Sequence, residues 1–267
     1  MLGSSRTSFE AARAELPGRV PADGEMSAEL LQVSTVLAAT PALRGALADS
    51  GTESAARVAL VRSVLDGKVS AATLDVVADL ASRRWNSGTD VVDAVELLGF
   101  EVALIGVERA GRLDTVEDQL FRVDRLVAGN AELRQALSDP AVGAAAKAQM
   151  LDDLLDGKVE TTTAALVRHL VQHPRGRNLG DVLPALVEQS ARRRERLLAK
   201  VKVAAAMSGD QERRLAAVLS RIYHREVDLQ IEVDPEVLGG VVVRVGDEVI
   251  DGSVAQRLDE VSRVWRA

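Results

Sequence analysis

Two segments of the chain repeat each other at a constant distance. The segment LRGALAD at 43–49 returns as LRQALSD at 133–139, and LDGKV at 65–69 returns unchanged at 155–159. Both pairs are 90 residues apart (133 minus 43, and 155 minus 65), and the spacing increases by one where Asp90-Val91 pairs with Asp181-Val182. A constant offset between such segments indicates a duplicated domain. The period is too long for a solenoid unit, so each copy is predicted to be a bundle of five or six short helices.

Apolar spacing predicts where several of these helices lie. The most regular stripe is Val91, Val95, Leu98, Val102 and Ile105, with steps of four, three, four and three, and it predicts a long helix over about residues 90–110. Three further helix limits follow from local signals. They are a capping pair of Asp114 with Glu117, a helix start at Asp139-Pro140, and a helix from Asp181 through Leu197.

Composition limits the class of protein. Of the 267 residues 47% are hydrophobic but only 2% are aromatic, so the core has to be built from Leu, Val and Ala, which suits helical bundles. The absence of cysteine excludes disulfides and thiolate metal sites. The net charge of −7 argues against a nucleic-acid-binding protein. No run approaches the roughly 20 apolar residues of a membrane span and the N-terminus lacks a signal-peptide core, so we expect membrane association only through partners.

The C-terminal quarter changes from helical to strand periodicity. The segments 199–206 and 227–233 alternate and predict strands, and Ser208 with Gln211 predicts a capping box for a helix between them. Residues 241–245 and 248–250 predict a hairpin across Gly246-Asp247. Ser253 is then placed to cap a last helix. The prediction is therefore a mainly α protein with a small α/β C-terminal domain: two tandem helical bundles (1–100 and 101–198), then a small mixed sheet with helices (199–267).

Few residues suggest chemistry. His169 and His173 are four apart and would share a helix face, but a zinc site needs a third ligand, so two surface histidines are the favoured interpretation. Asp152, Asp153 and Asp156 resemble ordinary surface acids. The sequence contains no nucleophile elbow, Walker motif or catalytic cysteine. We therefore expect no catalytic residues, no cofactor and no metal.

Two surfaces are candidates for binding a partner. The first is a bundle groove that accepts an amphipathic helix, although such a stripe is most often core. Its candidate residues are Val95, Leu98, Val102, Ile105, Leu183, Leu186 and Val187. The second is a basic helix end, interpreted as a solvated face or as a contact with an acidic partner or anionic lipid. Its candidate residues are Arg192, Arg193, Arg194 and Arg196.

A family resemblance lies in the C-terminal segment 233–258. The pattern D-P, then L-G-G, then V-G-D, then I-D-G-S-V resembles the C-terminal signature of the delta subunit of F-type ATP synthases, whose mitochondrial relative is the oligomycin-sensitivity-conferring protein. About 25 residues with many fixed spacings make this far more specific than a short glycine motif. The signature positions are Asp234, Pro235, Gly239, Gly240, Gly246, Asp247, Asp251, Gly252 and Ser253.

The resemblance implies a function. In that family the helical bundle binds the N-terminal helices of the alpha subunits of the alpha/beta catalytic head, and the C-terminal domain binds the membrane-anchored b subunit. The protein is then a non-catalytic stator subunit of the peripheral stalk, at the cytoplasmic face of the plasma membrane, with no nucleic-acid partner. Residues 101–265 resemble a whole delta subunit. The first 100 residues are extra, as in actinobacterial delta subunits with a duplicated bundle.

Two other functions remain open on the residues alone. One is a helical adaptor or regulatory scaffold of another complex. The other is a hydrolase with an unrecognised site, which predicts a deep polar pocket with convergent ionisable groups. The position of the second copy, directly before the signature, also predicts that it carries the head-binding groove. Deleting residues 1–90 is then expected to leave head binding largely intact.

Overall fold

A computed structural model gives the fold. It describes residues 1–22, 25–139, 141–194, 197–223, 227–234, 237, 240–245 and 248–251. These residues are mainly helical, with a small mixed sheet near the C-terminus, as predicted. The chain divides into two compact units, Met1–Arg193 and Arg194–Ala267. We call them the helical unit and the sheet unit.

The helical unit contains eleven α-helices within the described residues, with a short 3₁₀ helix at Pro17–Arg19 after the first. The helices are α1 (Gly3–Glu15), α2 (Glu25–Ala39), α3 (Pro41–Ala48), α4 (Ser54–Leu65), α5 (Ala71–Ser82), α6 (Gly88–Arg109), α7 (Leu113–Gly129), α8 (Ala131–Ser138), α9 (Ala144–Leu155), α10 (Thr161–Gln172) and α11 (Leu179–Arg194).

The sequence repeat is a repeat of helices. Helices α3, α4 and α5 return as α8, α9 and α10, each displaced by 90 residues at both ends. Helix α11 begins 91 residues after α6, where the sequence offset also changes by one. A side-chain contact is repeated too. Glu29 of α2 accepts hydrogen bonds from the N-terminal end of α5, and Gln119 of α7 accepts them from the N-terminal end of α10. The donors are Ser70 N (2.7 Å) and Ser70 Oγ (2.6 Å) in the first copy, and Glu160 N and Thr163 Oγ1 (both 2.8 Å) in the second.

Helix α6 belongs to both copies. It spans 22 residues, which confirms the predicted long helix. The stripe from Val91 to Ile105 packs into the core formed with α1–α5, whereas Phe100, Leu104 and Val107 pack into the core formed with α7–α11. A helix that contributes to two cores is apolar on more than one side. The predicted domain limit at residue 100 therefore falls inside α6, and the division into two bundles stays a proposal.

The shared helix also changes what a truncation can show. Deleting residues 1–90 would remove the helices that bury Val95, Leu98 and Val102, each at most 3% exposed. The remaining chain would expose a long apolar face, which favours aggregation. That deletion cannot isolate the second copy.

Three predicted helix limits are wrong. Asp114 is not a cap, since α7 already begins at Leu113 and the carboxylate lies in the first turn, where the helix dipole favours it. The helix predicted from Asp139 begins instead at Ala144, because the Asp139 carboxylate accepts a hydrogen bond from Ala141 N (2.8 Å) and forms a turn; Pro140 lies outside the described residues. Helix α11 ends at Arg194, before Leu197, which opens a strand.

Two glycines of α6 should respond oppositely to alanine. A Cβ at Gly88 would lie 2.8 Å from the backbone oxygen of Arg44, whereas a Cβ at Gly106 would meet nothing within 4 Å. We expect Gly88→Ala to lower the free energy of unfolding by about 1–3 kcal/mol. Gly106→Ala should raise it by about 0.5–1 kcal/mol, because the unfolded chain loses freedom. Urea denaturation of both variants measures this. Equal shifts would show that the close approach of α6 to α3 is absent.

The sheet unit contains strands β1 (Leu197–Val203), β2 (Val227–Val233), β3 (Val241–Val245) and β4 (Glu248–Asp251), with helix α12 (Gly209–Tyr223) between β1 and β2. The order is β2-β1-β3-β4; β1 and β2 are parallel and the other pairs antiparallel. The predicted capping box is confirmed, since Gln211 Oε1 accepts from Ser208 N (2.8 Å) and Ser208 Oγ from Gln211 N (3.4 Å). The helix predicted from Ser253 lies outside the described residues.

Alternation places the core of the sheet unit on one face. Ala199, Val201 and Val243 are buried with Leu219 of α12. The intervening residues Lys200, Lys202 and Arg244 are exposed on the other face. The strand predicted over 199–206 ends earlier, at Val203.

Candidate interaction surface

The residues predicted to line a partner groove lie in the cores. Val95, Leu98, Val102 and Ile105 are 0–3% exposed and belong to the first core. Leu183 and Leu186 are buried in the second core, with Val187 packed against it. The physical reason is the shared helix, because these α6 side chains pack into a core; Val102 also lines the open cleft described below. The stripe thus stabilises the unit and is not one open groove.

The predicted basic contact separates into different environments. Arg192 lies at the surface and pairs with Glu188 four residues earlier (2.9 Å). Arg193 is 3% exposed and donates to Glu101 (2.9 Å) and Glu108 (2.5 Å) of α6. The side chain of Arg194 and the whole of Arg196 lie outside the described residues. Arg193 therefore fastens α11 to α6 and is unavailable to a partner.

The carboxylate of Glu101 is a meeting point of three helices. Besides Arg193 it accepts a hydrogen bond from Gln189 Nε2 of α11 (2.9 Å), and Arg13 Nε of α1 lies 4.0 Å away. Glu101 is 2% exposed. A buried carboxylate is tolerated only when it is paired and hydrogen-bonded. The site joins the first helix of the chain to the last helix of the unit through α6.

A second buried carboxylate, Glu96, holds the loop between α10 and α11. Arg175 Nη2 donates to it at 2.5 Å and Arg177 Nη1 at 2.6 Å, while His169 Nε2 lies at 3.1 Å. Burial alone would raise the pKa of Glu96, but the hydrogen bonds from His169 and Arg177 and the charges of both arginines lower it to about 2.

The two histidines are not the surface pair that the sequence favoured. His169 is buried beside Glu96, with its ring edge-on to Phe100, and the His169 and His173 ring centres lie 4.9 Å apart. Burial and the neighbouring His169 lower the pKa of His173. Among the described residues, no group of three or more His, Cys, Asp or Glu side chains could hold a metal ion. His169 packs against Phe100 and contacts Glu96.

An open cleft of about 730 Å³ lies in the helical unit. Three helices line it, each with residues at helical spacing: α2 and α10 form the walls and α6 the floor. Arg112 lies at the start of α7 and Ala22 before α2. The lining residues are Ala22, Ser27, Ala28, Leu31, Gln32 and Thr35; Val102, Ala103, Gly106, Val107 and Arg112; and Thr161, Thr162, Ala165, Leu166, Arg168, His169, Gln172 and His173.

The cleft has an apolar, small-residue interior and a polar rim. Ala28, Gly106 and Ala165 are exposed in it, and small residues allow another backbone to approach closely. The rim carries hydroxyl, amide and basic groups, and no described acidic residue lines it. The wall contributed by α10 runs from residue 161 to 173, about 18 Å at the rise of a helix. The cleft therefore has the length and the small-residue interior to accept an amphipathic helix.

The first copy has a different surface at the corresponding place. A cleft of about 600 Å³ is lined by five residues of α5 that correspond, 90 residues earlier, to five residues lining the cleft on α10. In the repeat, Asp75 occupies the position equivalent to Ala165, and Asp79 the position equivalent to His169. Asp75 pairs with Arg62 (2.9 Å) and Asp79 with Arg83 (2.9 Å), so this surface carries two carboxylates, each held in an ion pair. Among the described residues, the corresponding face of the second copy carries no carboxylate in its lining, and this distinguishes the two clefts.

Part of the C-terminal signature shapes the sheet unit. Asp234 follows β2, where its N–H donates to Val203 O (2.9 Å) and its carboxylate accepts from Lys202 Nζ (2.9 Å). Gly240 precedes β3 with φ of 86°, a conformation that favours glycine. Asp251 ends β4 opposite Val242. Pro235, Gly239, Gly246, Asp247, Gly252 and Ser253 lie outside the described residues.

Comparisons with known proteins agree with this organisation. A family model described as ATP synthase delta (OSCP) subunit matches residues 101–264. The ATP synthase subunit delta of Streptomyces coelicolor is 40% identical over 98% of this chain and 97% of its own length. That of Nocardia farcinica is 43% identical over 97% and 96%. Since the family model begins at residue 101, the first 100 residues are shared with these relatives but lie outside the family-wide match.

The fold is a helical unit with an open cleft, followed along the chain by a small sheet unit. The chain belongs to the ATP synthase delta (OSCP) subunit family. It is a non-catalytic component of the peripheral stalk of F-type ATP synthase, peripheral to the membrane. Among the described residues no single helix is long and apolar enough to cross a membrane, and the pair α2 and α3 passes that test only together, across a bend of 101°.

Proposed function

We propose that this chain is the stator link of the enzyme. The helical unit binds the catalytic head, the sheet unit binds the membrane-anchored b subunit at the cytoplasmic face of the plasma membrane, and the link resists the torque of the rotor. Resistance to torque requires slow dissociation more than rapid association. The observation that carries the proposal is the open cleft of the helical unit within a chain of this family.

We propose that the cleft holds the N-terminal helix of an alpha subunit along α6 and α10. The small residues Gly106 and Ala165 leave room for a second helix at close range. Arg112 and Arg168 place positive charge on its rim; Arg112 pairs with Glu160 (2.5 Å) and Arg168 with Asp152, so a carboxylate of the bound helix would join these pairs. The corresponding face of the first copy carries Asp75 and Asp79 instead, which supports the second copy as the head-binding one.

For the b subunit, we propose the sheet face that α12 leaves open. Lys200, Lys202, Arg244 and Val249 line a cleft of about 510 Å³ there. Lys200 and Arg244 are register partners across β1 and β3, and Glu232 of β2 lines the same cleft opposite Lys202. Three cations against one acid in this lining favour an acidic, partly apolar helix of b as the partner.

A glycine in the floor of the cleft tests the alpha site. The Cβ of a leucine at Gly106 would meet nothing within 4 Å, and its side chain would occupy space in the cleft. We expect Gly106→Leu to weaken binding of an alpha-subunit N-terminal peptide by about tenfold or more, which corresponds to about 1.4 kcal/mol. Gly45→Leu is the matched control, since Gly45 of α3 also has open space around it and lies outside the cleft.

Binding is measured by titrating a fluorescently labelled alpha-subunit N-terminal peptide into both variants. The proposal requires Gly45→Leu to bind as the wild type does, and both variants to be at least as stable as the wild type, because leucine favours a helix more than glycine. Unchanged binding by Gly106→Leu would show that the alpha helix lies elsewhere. If the chain were instead an adaptor of another complex, a pull-down with it from membranes would recover no ATP synthase subunit.

A further inference from the structure

We propose that the extra N-terminal copy takes part in holding the head. Its helix α2 is the second wall of the cleft, so that a helix bound there contacts both copies at once. This inference rests on the proposed function for the identity of the bound helix. It gives the first 100 residues a role beyond lengthening the chain.

The contribution of α2 is a continuous helical stripe. Ser27, Ala28, Leu31, Gln32 and Thr35 follow at positions i, i+1, i+4, i+5 and i+8, and all line the cleft. Ala28 and Gln32 are exposed, so their side chains are accessible to a bound helix. One turn beyond Gln32, Val36 is 43% exposed and extends the same face. A stripe of this length can contact two to three turns of another helix.

This wall is fixed in place by packing against the floor. The Ser27 hydroxyl donates to the backbone oxygen of Gly99 (2.8 Å). A Cβ at Gly99 would lie 2.9 Å from Leu31 Cδ2, so α2 and α6 approach as closely as a glycine allows. Leu31 belongs to the first copy but packs into the second core. The wall is therefore already ordered before a partner binds, which lowers the entropic cost of binding.

The wall is a consequence of duplication. It lies before residue 101, where the family-wide match begins. Within this chain, the corresponding cleft of the first copy is lined only by α4, α5 and Arg19, with no helix of another copy. A single-copy relative built like residues 101–264 would hold its partner helix from two sides where this chain holds it from three.

The chemistry of the α2 wall indicates which face of the partner it meets. Ser27, Gln32 and Thr35 offer hydroxyl and amide groups, and Ala28 allows close approach, so the facing side of the bound helix should carry small and hydrogen-bonding residues. The basic groups of the lining lie on the opposite side, where Arg112 pairs with Glu160 and Arg168 with Asp152. The bound helix should therefore meet α2 with an uncharged side. This division makes α2 a determinant of specificity.

Matched glutamate substitutions on the two walls test the inference. The full chain is used, with a fluorescein-labelled peptide of the alpha-subunit N-terminus of the same organism and anisotropy as the readout. Ala28→Glu changes the α2 wall, Ala165→Glu changes the α10 wall, and Ala145→Glu, exposed on α9 outside the cleft, is the control. Glutamate is a good helix former, so the fold should be kept, which thermal unfolding checks. Gln32→Glu is a second α2 variant that retains the shape of the side chain.

The outcomes separate the two proposals. We expect Ala28→Glu and Ala165→Glu each to weaken binding by about tenfold, because each places a carboxylate in a desolvated contact, and Gln32→Glu by a smaller factor. The control should stay within about twofold of the wild type. If Ala165→Glu weakens binding but neither α2 variant does, the role of α2 is overturned and the alpha site stands. If no cleft variant weakens binding, the alpha site fails as well.

Discussion

Replacing Arg193 by alanine is expected to destabilise the helical unit by about 3–5 kcal/mol. The guanidinium is 3% exposed and pairs with Glu101 (2.9 Å) and Glu108 (2.5 Å), so its removal leaves buried negative charge on α6 without its main partner. The loss would be a large fraction of the 5–15 kcal/mol that usually stabilises a domain. Guanidinium chloride denaturation followed by circular dichroism at 222 nm measures it.

The preceding residue is the matched control for this prediction. Arg192 lies on the same helix, but its partner Glu188 is exposed and four residues away. An exposed pair of this kind contributes about 0.3–0.5 kcal/mol, so Arg192→Ala should change the free energy of unfolding only slightly. Equal losses for the two variants would show that Arg193 is not buried between α11 and α6.

Acid should weaken the helical unit through Glu96. Its pKa in the folded protein is about 2, below the ordinary 4.5, so this carboxylate stabilises the fold fully above about pH 5. The contribution is lost as the pH falls through the range from 5 to 2 and the group is protonated. A shift of this size corresponds to about 3 kcal/mol. Stability measured by urea denaturation between pH 7 and pH 2.5 should show it.

Glu96→Gln isolates the contribution of this one carboxylate. The variant should be less stable at pH 7, because Arg175 and Arg177 lose the charge they surround. Its further loss between pH 5 and 2 should be smaller than that of the wild type by about 3 kcal/mol. Glu188→Gln, at the exposed pair on α11, should retain the acid response of the wild type. Parallel pH profiles for Glu96→Gln and the wild type would refute the role assigned to Glu96.

Local signals predicted the repeat and the sheet, because both are encoded in neighbouring residues. The segment LDGKV ends a helix in each copy, and its glycine has φ of 67° in the first and 65° in the second. The alternation over 227–233 and the β-branched run over 241–245 gave the limits of β2 and β3. Two of the helix limits that failed, at Asp114 and Asp139, depended on capping signals, which compete with turns that the same side chains can form. The third, the end of α11, depended on apolar residues that continue into β1.

Long-range pairing could not be inferred from the sequence. The run from Arg192 to Arg196 appears uniform, yet Arg193 differs from Arg192 because its partners lie 85 and 92 residues away on α6. The stripe from Val91 to Ile105 appears amphipathic, but Phe100, Leu104 and Val107 make a second apolar side that only the shared packing explains. The cleft was missed because its small residues, such as Gly106, give no periodic signal.

Cross-linking mass spectrometry of the intact ATP synthase tests the proposed stator link most directly. The lysines outside the core are Lys68 and Lys158 in the helical unit and Lys200 and Lys202 in the sheet unit. The account predicts cross-links from Lys158 to the N-terminal segment of an alpha subunit and from Lys200 and Lys202 to the b subunit. Cross-links in the reverse pattern, with the helical unit to b and the sheet unit to the alpha N-terminus, would contradict it.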